Sequence, residues 1–490
     1  MRLTASDFHR YYRPSKCSLR VYLREQGVTA AAPSPYEEVL MRLGTRHEQT
    51  HLGTFPSFVD LRGGTEIERE HRTRDEVSRG APVVYQGVLR ATATLNGRTC
   101  EIVGEPDFLI QQAGGYGIRD SKISRRITER EHPEILRQMG LYGWLYEQTF
   151  QRPPVRLQVH AGDGVIVDVP YDGGAAALAG LGVIEGFKQA QAEPLSAVGW
   201  TKCGGCGFHG HCWPRAIAAR DVALVVGIDQ GLALALHRDG IRTMDEFVAR
   251  FDETSLAAYQ RPWGRRLRRV GQDAASILRM ANCLATGREI VVSTPNVPAL
   301  PNYVMFDVEG LPPHLDDLEK TYLWGLQVYG AMPGPYHGAT AAFGEEGDRE
   351  GWEGFLTNAR ATFDEYGDLP FVHWHHYERV HLDLYVRRHG DRDGVAARIH
   401  RNLLDLLPIT QDAVALPLPS YSLKVIEEYV GFKRTQEEYG GQWAMAKYIE
   451  AVETEDAAER AAIMDAILAY NREDLAATWA VLQWLKSKGR

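Results

Sequence analysis

Two aspartates and a lysine lie on neighbouring segments whose residue pattern predicts a strand–turn–strand unit. Residues 104–112 (GEPDFLIQQ) and 115–123 (GYGIRDSKI) alternate apolar and polar side chains, and glycines separate them. Asp120 and Lys122 are two residues apart and share one face of the second strand, and the turn can place Asp107 beside them. Two carboxylates and a lysine can hold Mg²⁺ or Mn²⁺ and stabilise charge on a phosphate. A surface hairpin with ordinary charges is the alternative that these residues alone leave open.

A second set of acidic residues occurs in the C-terminal part of the chain. Asp307 and Glu309 are two apart in the apolar stretch NYVMFDVEG, so a strand would direct both carboxylates to one side. Glu378 follows at a predicted strand-to-helix junction, and Tyr470 and Asp474 lie four apart on one face of a predicted long helix. Acidic residues that converge from such elements are typical of a two-metal phosphodiesterase site.

Gln138, Tyr142 and His47 are candidates to complete the first site. The segment PEILRQMGLYGWLYEQ has a helical period, and Gln138 and Tyr142 lie four apart on one of its faces. The alternative places Tyr142 in the core and Gln138 at the surface. His47 lies on an earlier predicted helix, where it is either a metal ligand or a solvated surface residue.

Four of the six cysteines form a separate pattern. They are Cys203, Cys206 and Cys212, spaced C-x₂-C-x₅-C, and the distant Cys17. Clustered cysteines in a reducing compartment indicate metal or redox chemistry before disulfides. Three thiolates are one ligand short of a closed site. Either His209 or His211 completes it for zinc, or Cys17 supplies a fourth thiolate. Cys100 and Cys283 have no partners at ligand spacing and are predicted core thiols.

The stretch 216–288 has a helical pattern interrupted by glycines. The turn at Gly240, with Thr243 as a candidate N-cap, is similar to a degenerate helix–hairpin–helix turn and could present backbone N–H groups to phosphates. An arginine-rich segment follows, consisting of Arg261, Arg265, Arg266, Arg268 and Arg269 around Trp263. These side chains would suit a nucleic-acid strand, and a solvated charged helix face is the alternative.

The composition of the chain limits the classes of protein to which it can belong. Its 490 residues, 44% hydrophobic and 24% charged, are typical of a globular protein with several domains. A net charge of −9 argues against a uniformly basic surface but permits a local basic patch. Apolar runs stay well below the roughly 20 residues of a membrane span, and residues 1–17 lack the apolar core of a signal peptide. We therefore expect a cytoplasmic protein.

The order of motifs in residues 1–215 resembles that of the RecB-like PD-(D/E)XK nucleases. The matching residues are His47, Asp107, Asp120, Lys122, Gln138 and Tyr142. The resemblance implies that the histidine and the two aspartates bind the metal and that the lysine acts on the attacking water or the phosphate. It also implies that the glutamine and tyrosine orient the strand or the active-site residues. The family's usual glutamate before the lysine is aspartate here, which the motif permits.

The cysteine layout is similar to that of a subset of these nucleases, including CRISPR-associated and AddB-like members, which carry an iron–sulfur cluster. In that subset one cysteine precedes the nuclease core and three follow it. The resemblance implies a [4Fe–4S] cluster on Cys17, Cys203, Cys206 and Cys212 in preference to zinc. The implied role is structural, because the cluster ties the N-terminus to the end of the domain.

The second acidic set resembles the RNase H-like fold in its DnaQ-like 3′–5′ exonuclease branch. Asp307 and Glu309 match the first motif, and Tyr470 with Asp474 match the last motif of the tyrosine-bearing subgroup. The second motif departs from the pattern, because His-His-Tyr-Glu stands where an Asn and then an Asp are usual. Glu378 is the stand-in for that Asp. The resemblance implies that the four acids hold two Mg²⁺ ions and that the tyrosine positions the water.

Together these patterns predict an α/β multidomain nuclease. We expect a PD-(D/E)XK domain with an iron–sulfur cluster at 1–215, a helical bridge at 216–292 and an RNase H-like exonuclease domain at 293–490. The implied substrate is DNA, as single strands or ends, in repair, recombination or phage defence. One alternative is an RNase that acts mainly through the C-terminal domain. The other is a non-catalytic nucleic-acid-binding subunit that recruits a helicase, since the sequence lacks a P-loop motif.

Overall fold

The computed structural model describes residues 1–264, 266–313, 315–316, 318–436 and 440–489. The chain forms two compact units. The N-terminal unit consists of Met1–Ser196 and Thr201–Trp213, and the C-terminal unit consists of Ala197–Trp200 and Pro214–Arg490. Within the described ranges, every helix is too short or too polar to cross a membrane.

The N-terminal unit is a mixed α/β structure. Its helices are α1 (Ser6–Tyr12), α2 (Ser18–Glu25), α3 (Pro35–Leu52), α4 (Glu66–Arg79), α5 (Pro133–Phe150) and α6 (Ala175–Lys188). Its strands are β1 (Arg2–Thr4), β2 (Val59–Asp60), β3 (Val83–Tyr85), β4 (Leu89–Leu95), β5 (Arg98–Gly104), β6 (Phe108–Gln112), β7 (Gly115–Ser121), β8 (Leu157–His160) and β9 (Ile166–Val169). One sheet has the order β2-β3-β6-β7-β8-β9, and the other has the order β1-β5-β4.

The predicted hairpin is confirmed as the antiparallel pair β6–β7. Phe108 pairs with Arg119. Gly114 in the turn and Gly115 at the start of β7 have φ angles of 92° and 148°, which residues other than glycine rarely adopt. Strands β4 and β5 precede this hairpin and pair antiparallel with each other. Strand β5 also pairs with β1, so these three strands form a sheet of their own.

Helix α5 packs over the strands and carries two of the predicted site residues. It begins at Pro133, whose fixed φ suits the first helical position. Its apolar side, which includes Met139 and Leu145, lies in the main core of the unit. A Cβ atom on Gly104 would lie 2.6 Å from Leu145 Cδ1 and 2.8 Å from Tyr142 Cδ1, so glycine at this position allows the helix its close approach.

Two short helices follow the sheet of the N-terminal unit and lead into the C-terminal unit. They are α7 (Trp200–Cys203) and α8 (His209–Ala218). The helices of the C-terminal unit are α9 (Gln230–Arg238), α10 (Met244–Arg250), α11 (Glu253–Ala258), α12 (Ala274–Thr286), α13 (Gly344–Tyr366), α14 (Tyr377–His389), α15 (Val395–Arg401), α16 (Leu406–Ala413), α17 (Leu423–Tyr429), α18 (Gly441–Glu453) and α19 (Ala457–Lys488). Its strands are β10 (Gln260–Trp263), β11 (Arg266–Arg269), β12 (Ile290–Val291), β13 (Asn302–Leu311), β14 (Lys320–Gly330), β15 (Tyr336–Thr340), β16 (Phe371–His373), β17 (Leu403–Asp405) and β18 (Val414–Ala415).

The main sheet of the C-terminal unit has the order β15-β14-β13-β16-β17. Strand β13 is antiparallel to β14 and parallel to β16, and β16 is parallel to β17. Aromatic side chains build the core beside β13. The ring of Phe306 lies 5.3 Å from that of Phe355, which in turn lies 4.6 Å from that of Trp324. A central strand packed this way is a rigid support for side chains on its other face.

The helical prediction for 216–288 is correct for α9 to α12 but wrong for residues 260–269. Pro262 and Gly264 both oppose a helix there, and the segment forms the antiparallel hairpin β10–β11. Gly264 has a φ of 62° between the two strands. Thr243 is the N-cap of α10, as predicted, and its side chain accepts a hydrogen bond from Glu246 N.

Candidate active sites

Asp107 and Asp120 lie opposite each other in the N-terminal unit. Asp107 immediately precedes β6 and Asp120 lies near the end of β7, so the pairing of the two strands brings them together. The backbone N–H of Ser121 donates to Asp107 Oδ2 at 2.8 Å, and the N–H of Asp107 donates to Asp120 Oδ1 at 3.3 Å. The hairpin backbone therefore fixes both carboxylates.

Lys122, Gln138 and Tyr142 converge on Asp120. The ammonium of Lys122 lies 2.5 Å from Asp120 Oδ2. The side-chain amide of Gln138 donates to Asp120 Oδ2 at 3.3 Å and to the hydroxyl oxygen of Tyr142 at 2.7 Å. The structure thus brings together five residues that the sequence analysis assigned to one site.

The predicted metal ligand His47 belongs to a stack of histidines. Its ring centroid lies 4.1 Å from that of His160, and His160 lies 3.9 Å from His51. The Nε2 atom of His47 lies 3.3 Å from the carbonyl oxygen of His160, which also accepts a hydrogen bond from the N–H of Lys122. His47 is therefore next to the backbone of the site, and its role as a ligand stays a prediction.

Glu48 is a site residue that the sequence analysis missed. The side-chain amide of Gln86 donates to Glu48 Oε1 at 2.7 Å and to Asp107 Oδ1 at 3.1 Å, and the hydroxyl of Tyr85 donates to Glu48 Oε1 at 2.6 Å. Gln86 reaches both acids from a backbone with a φ of 56°. The signal for Glu48 in the sequence was its position next to His47 on α3.

Burial and charge shift the titration of this site. Burial raises the pKa of Asp107 well above its usual value, and the neighbouring carboxylates Asp120 and Glu48 raise it further. Burial acts to lower the pKa of Lys122, but Asp120 and Asp107 outweigh it, so the net shift is upward. Lys122 is consequently held in its charged form.

Three of the four predicted cluster cysteines lie around one small apolar core. Cys17, Cys206 and Cys212 pack against the group formed by Leu19, Leu23 and Phe208. The carbonyl oxygen of Cys203 accepts a hydrogen bond from the N–H of Cys206 at 3.1 Å, which closes the loop between them. All six cysteines lie in the described residues, and none forms a disulfide.

Cys100 and Cys283 are both buried, as predicted for core thiols. Cys100 lies in the main core of the N-terminal unit. Cys283 in the C-terminal unit donates from its sulfur to the carbonyl oxygen of Ala415 at 3.4 Å.

Asp307, Glu309 and Asp474 form a compact carboxylate group in the C-terminal unit. Each offers an oxygen, and these oxygens lie within 4.8 Å of one another. Asp307 and Glu309 project from the same face of β13, and Asp474 comes from α19. Among the described residues this is the one group of three or more metal-ligand side chains at such spacing. Three oxygen donors from carboxylates suit a hard cation such as Mg²⁺ or Mn²⁺.

Asn471 holds Asp307 in place and was missed by the sequence analysis. Its side-chain amide donates to Asp307 Oδ2 at 2.7 Å, and its oxygen accepts from the hydroxyl of Tyr336 at 2.9 Å. A Cβ atom on Gly325, which pairs with Asp307, would lie 1.7 Å from the Asn471 oxygen. The signal in the sequence was the position of Asn471, three residues before Asp474 and on the same side of the helix.

Two cations lie against Asp474. The ammonium of Lys424 and the guanidinium of Arg434 both contact Asp474 Oδ1. Arg434 also forms a bidentate pair with Glu427, at 2.6 Å and 2.8 Å, and both side chains are buried. These contacts compensate part of the negative charge that the carboxylate group accumulates.

Two acids of this group, Asp307 and Glu309, have raised pKa values and so resist ionisation. Burial raises the pKa of Asp307 well above its usual value, and Glu309, Asp474 and Glu378 add to the shift. The pKa of Glu309 is raised by burial and then by Asp474. Burial, followed by Glu309, raises the pKa of Tyr470, so its hydroxyl is protonated at neutral pH.

Glu378 lies close to this group but has a different partner. His373 Nδ1 lies 3.2 Å from Glu378 Oε2, and both side chains are buried. Burial raises the pKa of Glu378, and the contact with His373 opposes that rise. Glu378 is near enough to raise the pKa of Asp307, although its oxygens are not part of the compact group.

The arginine-rich segment lies on the exposed hairpin β10–β11. Arg261, Arg266, Arg268 and Arg269 are placed on its strands. Arg265 lies outside the described residues. The alternative of a charged helix face is wrong, because the segment is a β-hairpin.

The comparisons with known proteins bear on the C-terminal unit. Residues 304–486 match the RNase_H_2 family model of the RNase H superfamily. A solved structure described as "Crystal structure of SSO0001" is 16% identical and covers 36% of this chain and 96% of that chain. Its TM-score of 0.20 is too low for the likeness to support any argument. No curated protein matches the chain. The family match shows that the chain carries an RNase H-like domain at 304–486. Domains with this fold are generally nucleases that act on nucleic acid.

Proposed function

We propose that this chain is a metal-dependent nuclease that hydrolyses phosphodiester bonds of DNA single strands or ends, with one active site in each unit. The carboxylate group of Asp307, Glu309 and Asp474 carries the proposal, because it lies inside the RNase H-like domain. Buried carboxylates at this spacing repel each other, and a divalent cation removes that repulsion.

In the C-terminal site the three carboxylates would hold Mg²⁺ or Mn²⁺, with Glu378 nearby. The metal, when bound, supplies an activated water and polarises the phosphate. Asn471 keeps Asp307 in the orientation that a ligand needs. The protonated hydroxyl of Tyr470 can orient the water, and Lys424 can move from Asp474 to a phosphate oxygen.

In the N-terminal site Asp107 and Asp120 would hold the metal, with Glu48 connected to Asp107 through Gln86. Asp120 and Asp107 outweigh burial and raise the pKa of Lys122, so the charged lysine would stabilise negative charge on the phosphate or orient the attacking water. Gln138 orients Asp120. This arrangement supports our proposal of a PD-(D/E)XK domain over 1–215, and we propose in addition a bridge over 216–292 and an exonuclease domain over 293–490.

The four cysteines would hold a structural [4Fe–4S] cluster. Three of them pack around one apolar group, and the guanidinium of Arg20 donates to Cys206 Sγ at 3.9 Å. Thiolates with a nearby cation suit a cluster of this kind. Anaerobically purified protein should show the broad visible absorption of an iron–sulfur cluster and contain iron. A colourless protein with stoichiometric zinc would contradict this assignment.

Cleavage of labelled DNA and RNA single strands in Mg²⁺ or Mn²⁺ tests the proposal. Asp120→Ala and Asp474→Ala are compared separately, so the contribution of each site is measured. We expect each variant to lose the DNA cleavage by the site that it alters and to keep the cleavage by the other site. Turnover of RNA alone would favour an RNase, and DNA binding without turnover in either metal would favour a non-catalytic subunit.

A further inference from the structure

The hairpin β10–β11 exposes two large apolar side chains among arginines. Trp263 is 52% exposed and Leu267 is 66% exposed. Within the described part of the chain, Arg266, Arg268 and Arg269 lie in no ion pair, and all three are exposed. The chain as a whole has a net charge of −9, so this exposed hairpin is a local basic patch on an acidic protein.

One face of the hairpin combines the indole with guanidinium groups. Arg261 and Trp263 are two apart on β10, and Arg268 pairs with Arg261 across the hairpin, so all three share a face. The guanidinium carbon of Arg261 lies 4.5 Å from the Trp263 ring centroid, and that of Arg268 lies 5.1 Å away. These contacts hold the indole in position while about half of it stays in contact with solvent.

The hairpin is attached firmly to α9. Arg261 pairs with Asp229, the N-cap residue of that helix, with Nη1 donating to Oδ1 at 2.8 Å. A Cβ atom on Gly231 would lie 3.1 Å from the carbonyl oxygen of Pro262, so the strand lies directly against the first turn of α9. The aromatic platform is therefore preorganised.

We propose that the hairpin Gln260–Arg269 binds single-stranded nucleic acid, with a base stacked on Trp263 and the phosphates bound by Arg266 and Arg268, which share its face. An indole offers a flat face to any base, and guanidinium groups match phosphate oxygens. Stacking requires a base that is not already paired in a duplex, so the hairpin selects single strands over duplex. The proposal rests on the proposed nuclease function for its substrate class, but binding can be measured without turnover.

The test measures binding of a fluorescein-labelled oligo-dT strand by anisotropy, in EDTA so that cleavage cannot occur. Trp263→Ala should weaken binding at least about fivefold, and Trp263→Phe should restore most of the affinity because a phenyl ring also stacks. Arg266→Gln and Arg268→Gln should each reduce the salt dependence of log K by about 0.7. Arg392, which is 84% exposed on the same unit, provides the control, and Arg392→Gln should bind as the wild type does.

Equal affinity of Trp263→Ala and the wild type would overturn the proposal. A loss that Trp263→Phe shares, or that Arg392→Gln shares, would also overturn it. Preference for an equally long duplex, or binding of anionic phospholipid vesicles in place of oligo-dT, would contradict the assigned occupant.

The binding test of the hairpin and the cleavage test of the proposed nuclease function can fail independently of each other. The double variant with Asp120→Ala and Asp474→Ala should bind oligo-dT normally while cleavage is lost. Normal Trp263-dependent binding by a protein that never cleaves would overturn the nuclease proposal alone. Cleavage with unchanged binding in Trp263→Ala would overturn the hairpin proposal alone.

Discussion

The side-chain amide of Asn471 donates to Asp307 Oδ2 across 2.7 Å and connects the last helix of the chain to the central strand of the C-terminal sheet. Asn471→Ala removes this donor and leaves Asp307 free to rotate. We expect the cleavage rate of the C-terminal site to fall about 10- to 100-fold, because groups that orient a metal ligand have effects of that size. Steady-state cleavage in an Asp120→Ala background measures it, and an unchanged rate would contradict the orienting role.

Gly325 is the position that allows Asn471 to approach. A Cβ atom there would lie 1.7 Å from the Asn471 oxygen, so Gly325→Ala should displace Asn471 and lower activity as Asn471→Ala does. Gly354→Ala on α13 is the matched control, because its Cβ would meet only Ala339 Cβ at 3.4 Å. That variant should be neutral or more stable by roughly 0.5–1 kcal/mol in urea unfolding. Full activity in Gly325→Ala would show that the contact is dispensable.

Arg434 neutralises two buried acids, so its removal should be costly. Arg434→Met removes the guanidinium from Glu427 and leaves Lys424 as the cation against Asp474. Breaking a buried pair in this way costs roughly 3–5 kcal/mol. Thermal unfolding should show a lower Tm, and Mn²⁺ should raise the Tm more in the variant than in the wild type because it restores positive charge. Equal Mn²⁺ effects on both proteins would argue against metal binding at this group.

Glu48 should contribute to metal binding in the N-terminal unit. Glu48→Gln removes a negative charge that raises the pKa of Asp107, and it keeps the shape of the side chain. We expect Mn²⁺ affinity, measured by titration calorimetry in an Asp474→Ala background, to fall about tenfold. Glu345→Gln, at the exposed start of α13, is the control and should leave affinity unchanged. A Glu48→Gln variant that binds Mn²⁺ like the background protein would exclude this residue.

His51 should make the stability of the protein depend on pH. Burial, with help from Arg119, lowers its pKa to about 4 from 6.5, and Arg119 Nη1 lies 3.1 Å from its Nε2 atom, which suits a neutral ring. Between pH 6.5 and 4 the unfolded chain binds a proton at this histidine that the folded chain does not, so stability falls as pH falls. We expect a loss of roughly 1–2 kcal/mol, allowing for partial access of water.

The variant His51→Phe isolates that contribution. Carboxylates titrate in the same range, so the quantity to compare is the difference in urea unfolding free energy between the two proteins at pH 7 and at pH 4.5. The wild type should lose more stability on acidification. Parallel pH profiles would show that His51 does not titrate as described.

Short-range patterns in the sequence predicted much of both candidate sites. The alternation around Asp107 and Asp120 and the period-four spacing of Gln138 and Tyr142 were sufficient, because strand and helix geometry alone place those side chains. Asn471, Glu48 and Arg434 could not be found in this way. Each acts through partners far away in the chain, and only the packed structure shows those partners.

For the arginine-rich hairpin, the sequence showed the charge of the segment but led to a wrong prediction of its secondary structure. Arginine favours helices in isolation, and the helical pattern on both sides extended that expectation through residues 260–269. Pro262 and Gly264 decide the local structure, and pairing of the two strands then places Trp263 between arginines. The sequence showed the positive charge of the segment, but its secondary structure depended on Pro262 and Gly264.

Cleavage by Asp120→Ala, Asp474→Ala and the double variant tests the central claim most directly. The substrate is a labelled DNA single strand, assayed with Mn²⁺ and with EDTA. We predict metal-dependent cleavage by the wild type, partial activity in each single variant and none in the double variant. Cleavage by the double variant at the wild-type rate would contradict the assignment of both active sites.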